Sequence, residues 1–262
     1  MTPRTFVPLA VIATSLLVAA CSSSTTSGKG AAHTTASTTS TTAASSPPAS
    51  TAPATSAAAT SGAPSTGAAG GPDLAALLVQ PSDLPAGWKV SPPSSTADDQ
   101  AEKAAMVACV GGKNTADDRL SRAEKDYDQG NNDITSNAQL MKSQADVAAD
   151  TALLRSPKIN SCYEQMARQQ IGGSLPAGDK LGAVNFTVTP GSNGGPKNLV
   201  AIGHGTVTIT VSGQTVTVYV EVAFITGNRI EGEVDFTGVG ARIDTTLEET
   251  LVTKVAQRIA NA

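Results

Sequence analysis

The sequence predicts an α+β domain: a curved antiparallel β-meander covered by amphipathic helices, with one disulfide. Three observations support this prediction. Four successive strand-like segments lie in the last third of the chain, apolar stripes with helical spacing lie on both sides of them, and two cysteines of the domain precede them. Pro72 to Ala262, about 190 residues, is the size of a single domain.

Residues 1–20 have the features of a secretory signal. A short apolar run, too short to span a bilayer, ends in small residues directly before Cys21. The sequence Val18-Ala19-Ala20-Cys21 resembles a bacterial lipobox, which implies cleavage before Cys21 and acylation of its sulfur. We therefore expect a protein anchored in the cell membrane through Cys21 and facing the extracytoplasmic side, because two or three acyl chains hold stably where one does not. The alternative is an ordinary cleaved signal with an incidental cysteine.

Residues 22–71 predict a disordered tether between the anchor and the domain. They consist almost entirely of Ser, Thr, Ala, Pro and Gly, without Val, Leu, Ile or an aromatic residue. Such a segment has no apolar surface to offset the entropy cost of folding, and about fifty residues reach roughly 40 Å. A bare linker and an O-glycosylated stalk, like those of secreted actinobacterial proteins, both fit this composition.

The charge of the domain excludes some partners. It holds all 22 acidic residues and all of the 18 basic ones except Arg4 and Lys29, so its formal charge is −6. An acidic domain without a basic stripe argues against binding to nucleic acid or to anionic lipid. We therefore expect no nucleic-acid partner.

The first part of the domain predicts two helices around a loop. Asp73 is a suitable N-cap for a short helix ending near Val79, before Pro81. Trp88 follows in a loop rich in Pro and Gly, where we expect it to seal one end of the core rather than to bind a ligand. Ala101 to Cys109 predicts a second helix.

Two strands are predicted between Leu120 and Lys142, joined by a polar loop. The acidic and amide residues around this loop suggest a calcium site, but Gly130 falls one position early for an EF-hand and the Glu at the twelfth position is missing. A plain polar turn is therefore favoured.

Two helices then follow, over Ser143 to Leu154 and Pro157 to Ile171. The second carries Cys162 on an apolar face that can meet the helix of Cys109. An even pair of cysteines in an exported domain predicts a disulfide between Cys109 and Cys162. A zinc site or a catalytic thiol is the alternative, but His204 is the domain's single histidine.

Four strands and a closing helix complete the domain. The strands are predicted over 183–189, 199–211, 214–226 and 228–237, with Ser212-Gly213 and Gly227-Asn228 as hairpin loops. In the last strand Ile230, Val234 and Phe236 alternate with polar residues that we expect to face water. These polar residues are Arg229, Glu231, Glu233 and Asp235. This acidic row could bind cations, but its pattern favours an ordinary solvated face of the sheet.

The closing helix is predicted from Asp244 to Ala260. Asp244 is its expected cap, Thr245 and Glu248 have the spacing of a capping box, and large aliphatic residues recur along one side.

No catalytic constellation emerges from the sequence. His204 lies between two glycines in a strand without a Ser or Asp at triad spacing, and the glycine-containing segments do not match a phosphate loop or a dinucleotide fingerprint. We therefore predict a protein that is not an enzyme, with no catalytic, cofactor-binding or metal-binding residues and no cofactor.

The order of these features resembles that of secreted mycobacterial lipoproteins. A lipobox, a Ser/Thr/Ala tether, Leu84-Pro-Ala-Gly-Trp88, two Cys-bearing helices and a Val/Thr-rich meander make up the layout. The domain is similar in layout to the extracellular sensor domains of mycobacterial serine/threonine kinases, which implies a ligand cleft between sheet and helices, although those domains are known for two disulfides. We expect a non-enzymatic binding or sensor-like module with a small-molecule or lipid ligand or an envelope protein partner. The alternative is a carrier of envelope lipids.

Overall fold

The computed structural model describes residues 71–92, 96–191 and 195–262. The predicted signal peptide, the lipidation site Cys21 and the tether lie outside these residues. Within the described part of the chain, no helix is long and apolar enough to cross a membrane.

The described residues form five α-helices. They are α1 (Leu74–Leu77), α2 (Thr96–Val110), α3 (Gln144–Leu154), α4 (Ile159–Ser174) and α5 (Thr245–Ala260). The side chains of Asp73, Ser143 and Asp244 accept hydrogen bonds from backbone N–H groups in the first turns of α1, α3 and α5, so the predicted cap of the closing helix is confirmed. The predicted capping box does not form, because Asp244 and not Thr245 is the cap, and Glu248 is buried.

Seven strands form one antiparallel sheet in the order β1-β2-β3-β7-β6-β5-β4. They are β1 (Lys89–Ser91), β2 (Arg119–Gln129), β3 (Asn132–Met141), β4 (Lys180–Pro190), β5 (Leu199–Val211), β6 (Gln214–Gly227) and β7 (Ile230–Val239). The predicted α+β class is confirmed. The meander runs from β4 to β7, and β7 then pairs with β3 of the β2–β3 hairpin.

The two predicted hairpin loops differ in outcome. Ser212 and Gly213 both have positive φ and form the expected two-residue turn. The second turn is shifted by one residue, because Gly227 still pairs with Ile230 and Asn228 takes the left-handed conformation. Gly227 is needed for contact with α5, since a Cβ there would lie 2.7 Å from the Ile259 carbonyl oxygen.

One face of the sheet packs against α5 and α1. Ile134, Val234 and Phe236 are almost fully buried there against Leu251 and Ile259 of α5. Trp88 is partly buried against the same cluster, in agreement with the predicted plug. This face holds the main apolar core.

Charged side chains connect the segment that follows α1 to α5. Arg258 donates to both carboxylate oxygens of Asp83 at 2.8 and 3.0 Å, and to the Leu78 carbonyl at 2.8 Å. Lys254 lies 3.1 Å from the same carboxylate. Although burial opposes it, bonding to Arg258, to the Gln80 backbone and to Lys254 lowers the pKa of Asp83 to about 2, so the carboxylate stays ionised.

The opposite face, called here the three-helix face, is covered by α2, α3 and α4. A disulfide between Cys109 and Cys162 joins α2 to α4, with Cα atoms 5.8 Å apart, which confirms the predicted pairing. Met106, Ile159 and Met166 pack around it. The bridge therefore links the two helices covalently within one cover over the sheet.

Helix α4 also covers the outer edge of β4. Asn160, Glu164 and Arg168, spaced four residues apart on α4, reach the backbone of β4. Asn160 Oδ1 accepts from Val188 N at 2.8 Å, and Glu164 Oε1 accepts from Phe186 N at 3.1 Å. Arg168 Nη2 donates to the Val184 carbonyl at 3.2 Å. This side-chain row satisfies backbone groups that an edge strand leaves unpaired.

Breaking the disulfide is expected to lower the stability of the domain. Cys109→Ser or Cys162→Ser should each reduce the free energy of unfolding by about 2–5 kcal/mol, because the bridge closes a long loop. Denaturant unfolding measures this change. The double variant is the control, since it should lose no more than either single variant; unchanged single variants would contradict the assignment.

Candidate functional site

A cavity of about 260 Å³ lies between the three-helix face and its helical cover. Its floor comes from β2, β3, β7 and the end of β6, and its roof from α2, α3 and the start of α4. The volume is close to the lower limit of about 300 Å³ that is typical of ligand pockets. A second cavity, lined by Tyr219, Arg242 and Glu248 among others, is far smaller, with a volume of about 10 Å³.

The alternation of β7 places three carboxyl groups on this floor. Glu231, Glu233 and Asp235 point to the three-helix face, while Ile230, Val234 and Phe236 point to the core. Polar residues of β3 lie opposite them in register, with Gln139, Asn137 and Thr135 facing Glu231, Glu233 and Asp235. The prediction that these three carboxyl groups face water is therefore wrong: Asp235 is 5% exposed, and the other two are half-buried.

Carboxyl groups outnumber basic groups around the cavity. Its acidic lining residues are Glu102, Glu124, Asp133, Asp150, Glu231, Glu233 and Asp235, and its basic ones are Lys103, Arg119 and Arg122. Two of the basic groups are held in ion pairs. Lys103 Nζ lies 2.5 Å from Asp150 Oδ2, and Arg122 Nη2 contacts Glu124 Oε2.

Two carboxylate oxygens in the cavity have no hydrogen-bond partner among the described residues. They are Asp235 Oδ1 and Glu231 Oε1. The other oxygen of Glu231 accepts from Gln139 Nε2 at 2.6 Å. Buried polar atoms in proteins are almost always paired, so an unpaired oxygen facing a cavity indicates a place where a ligand or water donates.

Burial raises the pKa of several of these carboxyl groups. The pKa of Glu102 rises to about 8 through burial and the nearby Glu233, and that of Glu231 rises to about 8 through burial and Asp150. The pKa of Asp133 rises to about 7, mainly through burial and also through the negative charges of Asp126 and Asp128. The pKa of Asp235 is raised well above its ordinary value by burial and then by its contacts with Glu233. Several carboxyl groups of the cavity therefore titrate near neutral pH instead of near pH 4.

The roof and one side of the cavity are apolar. Met106, Leu153, Ile159, Tyr163 and Phe224 contribute this surface. Tyr163 is fixed by stacking on another aromatic ring. The ring centroid of Phe186 lies 4.5 Å from that of Tyr163.

The glycines that flank His204 make room for Phe186. A Cβ atom at Gly203 or Gly205 would lie 2.8 Å from the Phe186 ring. The Gly-His-Gly sequence, which had no predicted function, thus positions Phe186 and, through it, Tyr163. Each change at these glycines would shift the apolar wall of the cavity.

The remaining sequence candidates lie away from this cavity or play a structural part. His204 is on the other side of the sheet, 40% exposed, with Nδ1 2.9 Å from Glu221 Oε2. The loop weighed for calcium is a tight turn with Gly130 at positive φ, as favoured. Among the described residues, no three His, Cys, Asp or Glu side chains are grouped to hold a metal ion.

Comparison with known proteins gives a coarse match. No protein-family model matches the chain, and no curated protein is similar to it. Among solved structures, the chain is similar to the extracellular domain of PknH from Mycobacterium tuberculosis, with a TM-score of 0.35 and 12% identity, over 72% of this chain and 95% of that one. The predicted likeness to a mycobacterial extracellular domain is found at this coarse level.

The raised carboxyl pKa values predict a loss of stability with rising pH. A carboxyl group whose folded pKa lies above its unfolded value stabilises the fold fully below the unfolded pKa, and this contribution is lost as pH rises through the folded pKa. For Glu102 the window runs from 4.5 to about 8. Each such group lowers the free energy of unfolding by up to about 1.4 kcal/mol per pH unit within its window.

Denaturant unfolding across this pH window tests the assignment in wild-type and Glu102→Gln protein. The variant should show a shallower decline, because Gln mimics the protonated carboxyl group. Asp117→Asn, at an exposed position just before β2, is the control and should keep the wild-type slope. Identical slopes in all three proteins would show that Glu102 titrates normally.

Proposed function

We propose that this protein is a lipid-anchored extracytoplasmic binding module, without catalytic activity, whose ligand occupies the cavity under α2, α3 and α4. The observation that carries the proposal is a cavity of near-ligand size that contains an unpartnered, almost fully buried carboxylate oxygen, Asp235 Oδ1. Desolvating a carboxyl group without a partner costs free energy, and a bound ligand that donates to it removes that cost.

The two walls of the cavity favour a ligand with a polar and an apolar part. The floor of β3 and β7 offers carboxyl, amide and hydroxyl groups, whereas Met106, Ile159, Tyr163 and Phe224 offer apolar contact. Binding sites of this kind use few polar groups for orientation and apolar surface for affinity. A lipid carrier would need a continuous apolar cavity, so the carboxyl-lined floor favours a small polar ligand over acyl chains.

The three helices that cover the cavity are cross-linked to one another. The disulfide joins α2 to α4, and Lys103 of α2 pairs with Asp150 of α3. Thr115 Oγ1 donates to the same Asp150 carboxylate at 2.7 Å. A preformed cavity loses little conformational entropy when its ligand binds.

Filling the cavity should remove the ligand. Thr135 lies on the floor opposite Asp235, and Thr135→Phe would place an aromatic ring in the cavity while keeping strand propensity. Native mass spectrometry of the full-length protein from its own host should show a bound small molecule in wild type and a loss of at least about tenfold in its occupancy in this variant.

The control for this experiment is Thr187→Phe, at an exposed position of β4 away from the cavity. It should keep the occupancy of the wild type. A bound molecule retained in Thr135→Phe would place the ligand elsewhere and contradict the proposed site.

Membrane attachment is tested separately at Cys21. Cys21→Ala should release the protein from the membrane fraction or leave it unprocessed, because the acylated sulfur is gone. Fractionation followed by mass measurement of the N-terminus distinguishes these results. A variant that is cleaved and still membrane-bound would contradict the anchor.

A further inference from the structure

We propose that the ligand of this cavity is a small organic cation, with its ammonium or guanidinium group held by Asp235 and its apolar part held by Tyr163 and Phe224. This inference deepens the proposed binding function and rests on it. It follows from the charge balance, from the unpaired oxygens and from the aromatic wall.

The charge balance is the first step. Seven carboxyl groups line the cavity against three basic side chains, and two of those bases, Lys103 and Arg122, are already engaged with Asp150 and Glu124. Carboxyl groups concentrated in a partly desolvated site favour a cationic ligand, because a bound cation stabilises their ionised form and the attraction is less screened there than in water.

The unpaired oxygens are the second step. Asp235 Oδ1 and Glu231 Oε1 are both acceptors without a donor among the described residues, on the same strand and the same face. An ammonium or guanidinium group carries several donors, so it can satisfy Asp235 Oδ1 together with a neighbouring acceptor such as the amide oxygen of Asn137. Glu231 lies four residues away along β7, about 13 Å in an extended strand, so its oxygen offers a second contact at the other end of the floor. Burial and then Glu233 raise the pKa of Asp235, and a cation bound beside this carboxyl group would favour its ionised form.

The aromatic wall is the third step. Tyr163 and Phe224 line the cavity, and Phe224 lies directly opposite Glu233 in the β6–β7 pairing. Aromatic faces attract ammonium and guanidinium groups and also pack against apolar substituents. This wall distinguishes an organic cation from a bare metal ion, as does the finding that the carboxyl groups of the described residues are not clustered in threes.

A matched set of three probes tests the charge of the ligand. Benzylamine, benzyl alcohol and benzoate have the same ring but are positive, neutral and negative near pH 8. Titration calorimetry of the full-length protein should show benzylamine binding at least about tenfold more tightly than benzyl alcohol, with benzoate weakest. Benzyl alcohol or benzoate binding as tightly as benzylamine would overturn the cationic class.

Substitution at Asp235 tests the proposed contact. Asp235→Asn keeps the shape of the side chain and should weaken benzylamine binding by about tenfold or more while leaving benzyl alcohol unchanged. Glu249→Gln removes an exposed carboxyl group of α5 and should change neither affinity. If Asp235→Asn does not fold, Glu233→Gln serves in its place, with the same expected selectivity.

Two further results separate failure of this inference from failure of the proposed function. Benzyl alcohol or benzoate binding that is blocked by Thr135→Phe, without preference for benzylamine, would keep the binding site and reject the cation. The second result would also reject the organic cation, in favour of a metal ion. In that case the protein binds calcium added as its chloride, loses this binding in Asp235→Asn, and does not bind benzylamine. If no probe binds and no host molecule occupies the cavity, both proposals fail.

Discussion

The disulfide-linked helical cover is the constraint on which the rest of this structure depends. Cys109 and Cys162 hold α2 and α4 together above a sheet face that carries carboxyl groups instead of aliphatic ones. A free polar face of an antiparallel sheet would simply be hydrated. Because the cover excludes most of that water, the same side chains become buried acids with raised pKa values, and the face becomes a cavity.

The sheet uses its two faces for different purposes. The face under α5 supplies the main core, with Ile134, Val234, Phe236 and the aliphatic stripe of the helix packed almost completely. The three-helix face is divided: its β4–β6 half is apolar and packs under α4, and its β2, β3 and β7 part is polar. Stability thus comes mainly from one face, which leaves the other free to keep unsatisfied groups that a ligand could use.

Local patterns in the sequence predicted most of the helices and strands. They did not predict contacts between segments that are distant in the chain. Alternation gave the strands, and Asp73, Ser143 and Asp244 gave helix starts. The pairing of β3 with β7 joins segments about a hundred residues apart, and no local pattern encodes it. Gly227 was assigned to a turn because a glycine before Asn is typical of one, whereas its role is close approach to Ile259.

The candidate site was missed for a related physical reason. Alternation shows that Glu231, Glu233 and Asp235 share a face, but it does not show whether a helix covers that face. The useful signal was the cysteine pair, because a bridge between α2 and α4 requires both helices to lie on one side of the sheet. Combined with the acidic row of β7, it could have predicted buried carboxyl groups. The role of Gly203 and Gly205 could not be predicted, because it depends on the Phe186 ring of the neighbouring strand, which packs against them.

The row formed by Asn160, Glu164 and Arg168 has a consequence for how copies of this protein meet. A bare outer strand offers its backbone as a template on which another chain can extend the sheet, and such growth leads to aggregates. Here α4 fills those backbone sites with its own side chains, so a second molecule would first have to displace a helix fastened by the disulfide. The same helix that roofs the cavity therefore keeps the sheet at seven strands on its β4 side, which matters most where many copies are crowded together.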